Sequence, residues 1–290
     1  MKLCYYHNDE KNFGDDLNAW LYPKLLPGIV DGFCAHGDEY LAQNNREAAI
    51  IYGIGTVLDH RIPPHPVKHV LGSGVGYYHK PELDERFRIH FVRGPKSATA
   101  IGLAPEIGIN DPAIMLTRFI ERPDPKHKYT LIMHCDTAKS GYWENIAKTC
   151  GFNYVDPRAD DPISVVQELI SSEHVISESL HGAIIADAFG IPWLPISAMP
   201  HINAFKWQDW GEAIGQPYEP VRLKPIYAAS SDAFLKNTIN SLKAKLNARA
   251  LSKAVQNRSF YLSDRARLQK HIDLIDERLK NFRKEVTGET

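Results

Sequence analysis

His174-Val-Ile-Ser-Glu-Ser-Leu-His-Gly-Ala-Ile-Ile-Ala-Asp-Ala-Phe-Gly190 decides the fold. A short buried strand, His174–Ile176, gives way to small polar residues. Gly182 then opens an apolar helix that stops at Gly190. His181 falls at the strand-to-helix junction, where helix N–H groups favour an anion and an imidazole can move a proton. Taken locally, the histidine is as well read as a structural hydrogen-bonder as a catalyst. The same alternation surrounds this stretch: strand Tyr129–Met133, helix Gly141–Thr149, strand Asn153–Val155, helix Ile163–Ile170, and strand Trp193–Ile196 beyond it. Strands and helices at this spacing build parallel sheets covered by helices.

Upstream, Leu3–His7, Ala48–Tyr52, His69–Leu71 and Ile89–Val92 read as further short strands, and Asp16–Leu26 and Pro95–Ile101 as helices. Pro23 predicts a kink or early end in the first helix. Glu121-Arg-Pro-Asp-Pro-Lys-His-Lys128 reads as a linker, because two prolines amid charges deny it a regular element. The expected organisation is an α/β domain over 1–122, a second over 128–212, and a connecting segment with a helical tail over 213–290. Two Rossmann-like domains place a ligand cleft between them. In the tail, Tyr261, Arg265, Leu268, Ile272, Ile275, Leu279 and Phe282 fall at 4-3 spacing, and no Gly or Pro occurs from Ile226 to Thr287. The stripe predicts an amphipathic helix packed on its own chain, with pairing to a second copy as the other use of such a seam.

Composition narrows the function classes. Of 290 residues, 43% are hydrophobic and 24% charged, the balance of a soluble globular protein, and the net charge of −1 offers no bulk field for nucleic acid or an anionic membrane. An anionic ligand therefore has to be held by local charge. From Ser231 onward there are 13 Lys and Arg against seven acids, which leaves contact with a membrane surface open. The start carries no signal-peptide pattern and no stretch has the length of a membrane helix, so a cytoplasmic protein is expected. Cys4, Cys34, Cys135 and Cys150 show no C-x-x-C spacing and are expected as free thiols. No cluster suggests a metal. Gly72-Ser-Gly-Val-Gly76 lacks the G-x-G-x-x-G spacing and the following helix that a dinucleotide site needs.

Three loops at strand ends carry further candidates. Asn12-Phe-Gly-Asp-Asp-Leu-Asn18 has more polar groups than one helix cap uses, so Asp15 or Asp16 is free to act as a base or to grip sugar hydroxyls. Arg93 of Phe-Val-Arg-Gly-Pro-Lys sits before a helix started by Pro95, a combination suited to carboxylate or phosphate. Asp111, before Pro112, reads as a turn organiser.

Together these segments resemble the polysaccharide pyruvyltransferase family, most closely its exopolysaccharide, succinoglycan-type branch. The resemblance rests on Asn12–Asn18, Gly53-Ile-Gly55, Gly72-Ser-Gly74, Phe91-Val-Arg-Gly94, Gly108-Ile-Asn-Asp111, Glu178–Ala188 and Lys206-Trp-Gln-Asp-Trp210, in consistent order over about residues 1–212. It implies a GT-B-like pair of domains with the acceptor on the first and the donor on the second. It implies phosphoenolpyruvate as donor, no cofactor, and a sugar diol, usually lipid-linked, as acceptor of a cyclic ketal. It puts His181 in catalysis and Arg93 at the donor; ketal formation needs an acid and a base, roles that fall to His181 and to Asp15 or Asp16, with Asn12, Gly14, Ser179, Gly182 and Lys206 expected around the substrates. Many members carry Arg where this chain has Ser179, so the donor phosphate falls to Arg93, Lys206 or His201. A nucleotide-sugar glycosyltransferase of GT-B type and a non-catalytic assembly protein are the rival readings.

Overall fold

Runs such as Ile50-Ile51-Tyr52 and Val70-Leu71 are buried on both faces. Such strands are stable only inside a sheet covered on both sides, the environment of parallel α/β folds. The computed structural model describes residues 1–7, 11–37, 49–228 and 234–288, with the side chains of 234–236 excepted. Ala48 and Ser231, where the expected second strand and the tail begin, lie outside the described residues.

In the first half, β1 (Lys2–Tyr5) leads into α1 (Phe13–Leu25). It is joined by β2 (Gly32–Ala35), β3 (Ala49–Tyr52), β4 (Val67–Leu71) and β5 (Phe87–Phe91) in a parallel sheet of order β2-β1-β3-β4-β5. α2 (Pro95–Ala100) and two 3-10 turns, Pro105–Ile107 and Pro112–Arg118, follow. α1 begins three residues earlier than expected and runs through Pro23, which lies so near the C-terminal end that the helix continues only to Leu25. β2 had no counterpart in the sequence reading.

The second half holds β6 (His127–Ile132), α3 (Cys135–Ala138), α4 (Trp143–Cys150), β7 (Asn153–Val155) and α5 (Pro162–Ile170). It continues with β8 (Ser172–Ser177), α6 (Leu180–Ala188), β9 (Trp193–Ser197), α7 (Ala204–Ile214) and β10 (Val221–Arg222). Its sheet is also parallel, in the order β10-β9-β8-β6-β7. Counted from its own first strand, this is the winding of the first sheet again. Each sheet reverses direction once, between β1 and β3 and between β6 and β8, and ligands of such sheets bind at those carboxyl ends.

The tail forms two helices, α8 (Phe234–Asn257) and α9 (Arg265–Thr287). The break needs neither Gly nor Pro. Tyr261 exchanges two backbone hydrogen bonds with Trp193 of β9, and Asp264 caps α9 through the Arg267 N–H at 2.8 Å. Leu268, Ile272, Ile275, Leu279 and Phe282 of α9 are buried in the chain's own core. That stripe is therefore consumed and is not a seam for a second copy. Cys4 and Cys34 stand in register on β1 and β2 and form a disulfide, which corrects the expectation of four free thiols. Cys135 and Cys150 are free. Among the described residues no helix is long and apolar enough to cross a membrane.

The two halves are welded. One apolar cluster runs from Leu3 and Phe13 through Ile114 to Val165, Leu180 and Trp210. At its edge Arg93, leaving β5, is 1% exposed and meets Asp209 of α7, 0% exposed, with Nε 3.1 Å from Oδ2. Asp209 also accepts from the Ser97 N–H at 2.8 Å and the Ser97 hydroxyl at 2.5 Å, closing the first turn of α2 from the other domain. An apolar interface of this kind holds the cleft in one shape.

Asp209→Ala leaves the Arg93 guanidinium buried without its counter-charge. Denaturant titration should show a loss of about 3–5 kcal/mol, most of it recovered in the double variant Arg93→Met/Asp209→Leu. A loss in the single variant comparable to that of an exposed pair would contradict the clamp.

Candidate active site

The facing carboxyl ends of the two sheets enclose a cavity of about 480 Å³. The loop after β1 contributes Asn12 and Asp15, that after β3 Gly55 and Thr56, that after β6 His134 and Asp136, that after β8 Glu178, Ser179 and His181, and α7 Lys206. Lys11, Arg61, Arg93, Lys139, Arg158 and Lys206 line it against the carboxylates of Asp15, Asp136 and Glu178. Arg61, Arg93, Arg158 and Lys139 are paired there with Asp59, Asp209, Asp156 and Asp136, so the charge available to an anionic ligand rests on Lys206 and Lys11.

α6 starts at Leu180, capped by the Ser179 hydroxyl, which accepts from the Gly182 N–H at 3.3 Å. His181 is thereby fixed in the first turn. Its Nε2 faces Asp111 Oδ2 at 3.6 Å; the carboxylate is fully buried, and its other oxygen accepts from the Ala113 N–H at 2.9 Å. Neither facing atom has another partner. Nδ1 is the ring nitrogen not turned to Asp111. On the other side lies Gly14, where any Cβ would collide with the imidazole. Gly14 is therefore there for close approach of α1 to His181 and not for a tight turn. At Gly182 a Cβ would press on Ser177 and on Ile132, so glycine lets α6 sit directly on its sheet.

Asp15 and Asp16 part company. Asp15 lines the cavity, held by Asn12 Nδ2 at 2.7 Å, and its pKa is raised above the ordinary carboxylate value by burial, with His181 and Lys206 pulling it back. Asp16 turns away, accepting from the Asn12 N–H at 3.3 Å and pairing with His7. It performs the capping that the sequence left open to either residue.

Arg93 lines the cavity edge, but its guanidinium is spent. Besides Asp209 it donates to Thr56 Oγ1 at 2.8 Å and to the Val75 carbonyl at 3.0 Å. Lys206 differs. Among the described residues its contacts are the Tyr77 hydroxyl at 3.0 Å and the Tyr77 ring, both uncharged, so its full charge faces the cavity. His134 shares the wall, and burial together with Lys206 pushes its pKa down to about 3, leaving it neutral near pH 7. Glu178 gathers the N–H groups of Ala198, Met199 and His134 and ties together the loops after β6 and β9.

A sequence profile described as polysaccharide pyruvyl transferase matches residues 5–198, a span that contains both strand reversals and the His181 junction. The chain belongs to that family. It is 38% identical over 228 residues to the succinoglycan biosynthesis protein ExoV of Rhizobium meliloti (strain 1021), covering 77% of this chain and 68% of that one. It is also 33% identical over 205 residues to the uncharacterized protein L143 of Acanthamoeba polyphaga mimivirus, covering 65% and 64%. Among solved structures it is similar to the wall teichoic acid polymerase TagF at a TM-score of 0.40 and 11% identity, over 97% of this chain and 89% of the other.

Two features of this pyruvyl transferase were not legible as site residues. Asp111 was read as a turn organiser; the signal that it does more, the approach of His181 seventy positions later, exists only in the fold. His134, Asp136 and His201 come together with potential ligand atoms within 4.8 Å of one another, a grouping that could hold a metal ion and that the sequence did not suggest. Two cations oppose that use: Lys139 pairs with Asp136 at 2.8 Å, and Lys206 acts on His134.

Gly14→Ala should leave the circular dichroism spectrum intact and cut pyruvyl transfer by about 100-fold or more, since a displacement of the order of 1 Å at a reacting group has that effect. Retained activity would show that the close approach to His181 is only packing.

Proposed function

We propose that this chain moves the pyruvyl group of phosphoenolpyruvate onto two hydroxyls of a sugar in an exopolysaccharide or its lipid-linked precursor. The observation that carries the reading is the His181–Asp111 pair, which shares one cavity with Asp15 and Lys206. His181, backed by Asp111, protonates C3 of the donor and leaves a cation-like centre at C2. One sugar hydroxyl adds to C2, the C2–O bond to phosphate breaks, and the second hydroxyl closes the ketal. The hydroxyls release two protons. One balances the proton gained by C3, and the other leaves on phosphate.

Asp15 is the base for the first hydroxyl. Burial raises its pKa, which makes it a better proton acceptor than an exposed carboxylate once it is ionised. Lys206 takes the donor's phosphate or carboxylate, the role that Arg93 cannot fill while its donors are engaged. Asn12, Ser179 and Gly182 fix the geometry of these groups, and no cofactor enters the scheme. Phosphoenolpyruvate is small and multiply charged, so clustered cations suit it better than a long nucleotide groove does. With the lipid-linked precursor as acceptor, the enzyme works at the cytoplasmic face of a membrane.

His181→Gln should lower kcat by at least about 100-fold, as loss of a general acid does, with unchanged thermal unfolding. Lys206→Ala should instead raise KM for phosphoenolpyruvate. In the wild type, kcat/KM should fall as pH drops through the raised pKa of Asp15, because the base is then protonated. Asp15→Asn should flatten that acidic limb. Undiminished turnover in His181→Gln, or transfer from a nucleotide sugar in place of phosphoenolpyruvate, would overturn the reading.

A further inference from the structure

The sequence showed a basic tail without saying where its charge lies. The fold concentrates it on α8. Residues 234–257 contain Lys236, Lys243, Lys245, Arg249 and Lys253 and no Asp or Glu, whereas α9 mixes both signs. The inner face of α8 is already satisfied: Asn240, Asn247, Ala248, Leu251 and Ala254 are buried against the second domain. A surface helix packed in this way ordinarily turns polar residues outward.

α8 does not. Ile239, Leu242 and Leu246 are 53%, 59% and 41% exposed, and their 3-4 spacing puts them on one outer stripe that continues into Arg249 and Lys253. Tyr227, 47% exposed, lies beside the start of this stripe, its carbonyl accepting from Asn240 Nδ2 at 2.9 Å. Single exposed leucines need no explanation, but a stripe of large apolar groups on a cationic helix that carries no acid does. The first half of α8 and its middle are strapped to the segment leaving the carboxyl end of β10, through Tyr227 and through the paired bonds of Asn247 with Lys224. The stripe therefore sits at the sheet end that carries the cavity.

We propose that the outer face of α8 docks this protein on an anionic lipid bilayer, with Ile239, Leu242 and Leu246 entering the headgroup–acyl boundary and Lys245, Arg249 and Lys253 meeting lipid phosphates. Charge selects this occupant. An isologous contact with a second copy would oppose two acid-free helices, and three apolar side chains fall well short of a stable dimer interface. An anionic surface answers both the apolar stripe and its basic border. The inference takes from the preceding reading only the lipid-borne acceptor, which gives the surface its use: it brings the cavity mouth to the membrane.

The test is co-sedimentation of the intact protein, without donor or acceptor, on phosphatidylcholine vesicles with and without phosphatidylglycerol. Binding should require phosphatidylglycerol and weaken with added salt. The variant Ile239→Ser/Leu242→Ser/Leu246→Ser and the variant Lys245→Glu/Arg249→Glu/Lys253→Glu should each lose about tenfold or more in partitioning. Both should keep the wild-type melting temperature and turnover on a soluble acceptor, because all six side chains lie outside the cavity. Failure of the wild type to bind anionic vesicles at low salt would overturn the proposal. So would unchanged partitioning of both variants, or an apolar variant that turns a dimer into a monomer with no change on lipid. None of these readouts involves pyruvyl transfer, so the docking surface and the enzymatic reading stand or fall separately.

Discussion

The buried pair of Arg93 and Asp209 is the constraint from which the site geometry follows. Burying two charges is costly, and an apolar pair of the same volume is often as stable. What the ion pair adds is direction. Arg93 also holds the loops after β3 and β4 through Thr56 and Val75, while Asp209 closes the first turn of α2. Lys206 lies three residues before Asp209 on α7, so the contact that fixes the domains also delivers an unneutralised cation to the cavity. An arginine expected to hold the donor is instead engaged by Asp209, Thr56 and Val75.

Much of the fold was legible because its signals are local. The strand-helix alternation from Tyr129 to Ile196 is recovered nearly element by element, since each run is short, apolar and bounded by Gly, Asp or Asn. β2 and β10 were missed for a physical reason. Gly32-Phe-Cys-Ala35 and Val221-Arg222 are edge strands whose pairing, not whose composition, makes them strands. The division of α8 from α9 was illegible for the same reason: it depends on Tyr261 pairing with Trp193 across 68 residues.

The site divides along the same line. His181, Asp15 and Lys206 could be named from motifs, but which of Asp15 and Asp16 lines the cavity depends on where Asn12 and His7 fall around them. Asp111 behind His181, Asp209 behind Arg93 and the contact of Lys206 with Tyr77 are all non-local facts. Repetition of one winding in two sheets explains why these groups converge. Each sheet offers one reversal point, and the weld turns the two toward a shared cavity, with the basic face of α8 at the same end of the second domain.

The central claim is that the cavity transfers pyruvyl from phosphoenolpyruvate to a sugar diol. Its most direct measurement is phosphate release from phosphoenolpyruvate, carbon-labelled in the pyruvyl group, across a panel of lipid-linked and aryl hexosides. The account predicts release that depends on one acceptor, with label appearing in an acid-labile sugar product in equal amount. Release that is independent of acceptor, or label recovered only as free pyruvate, would contradict it.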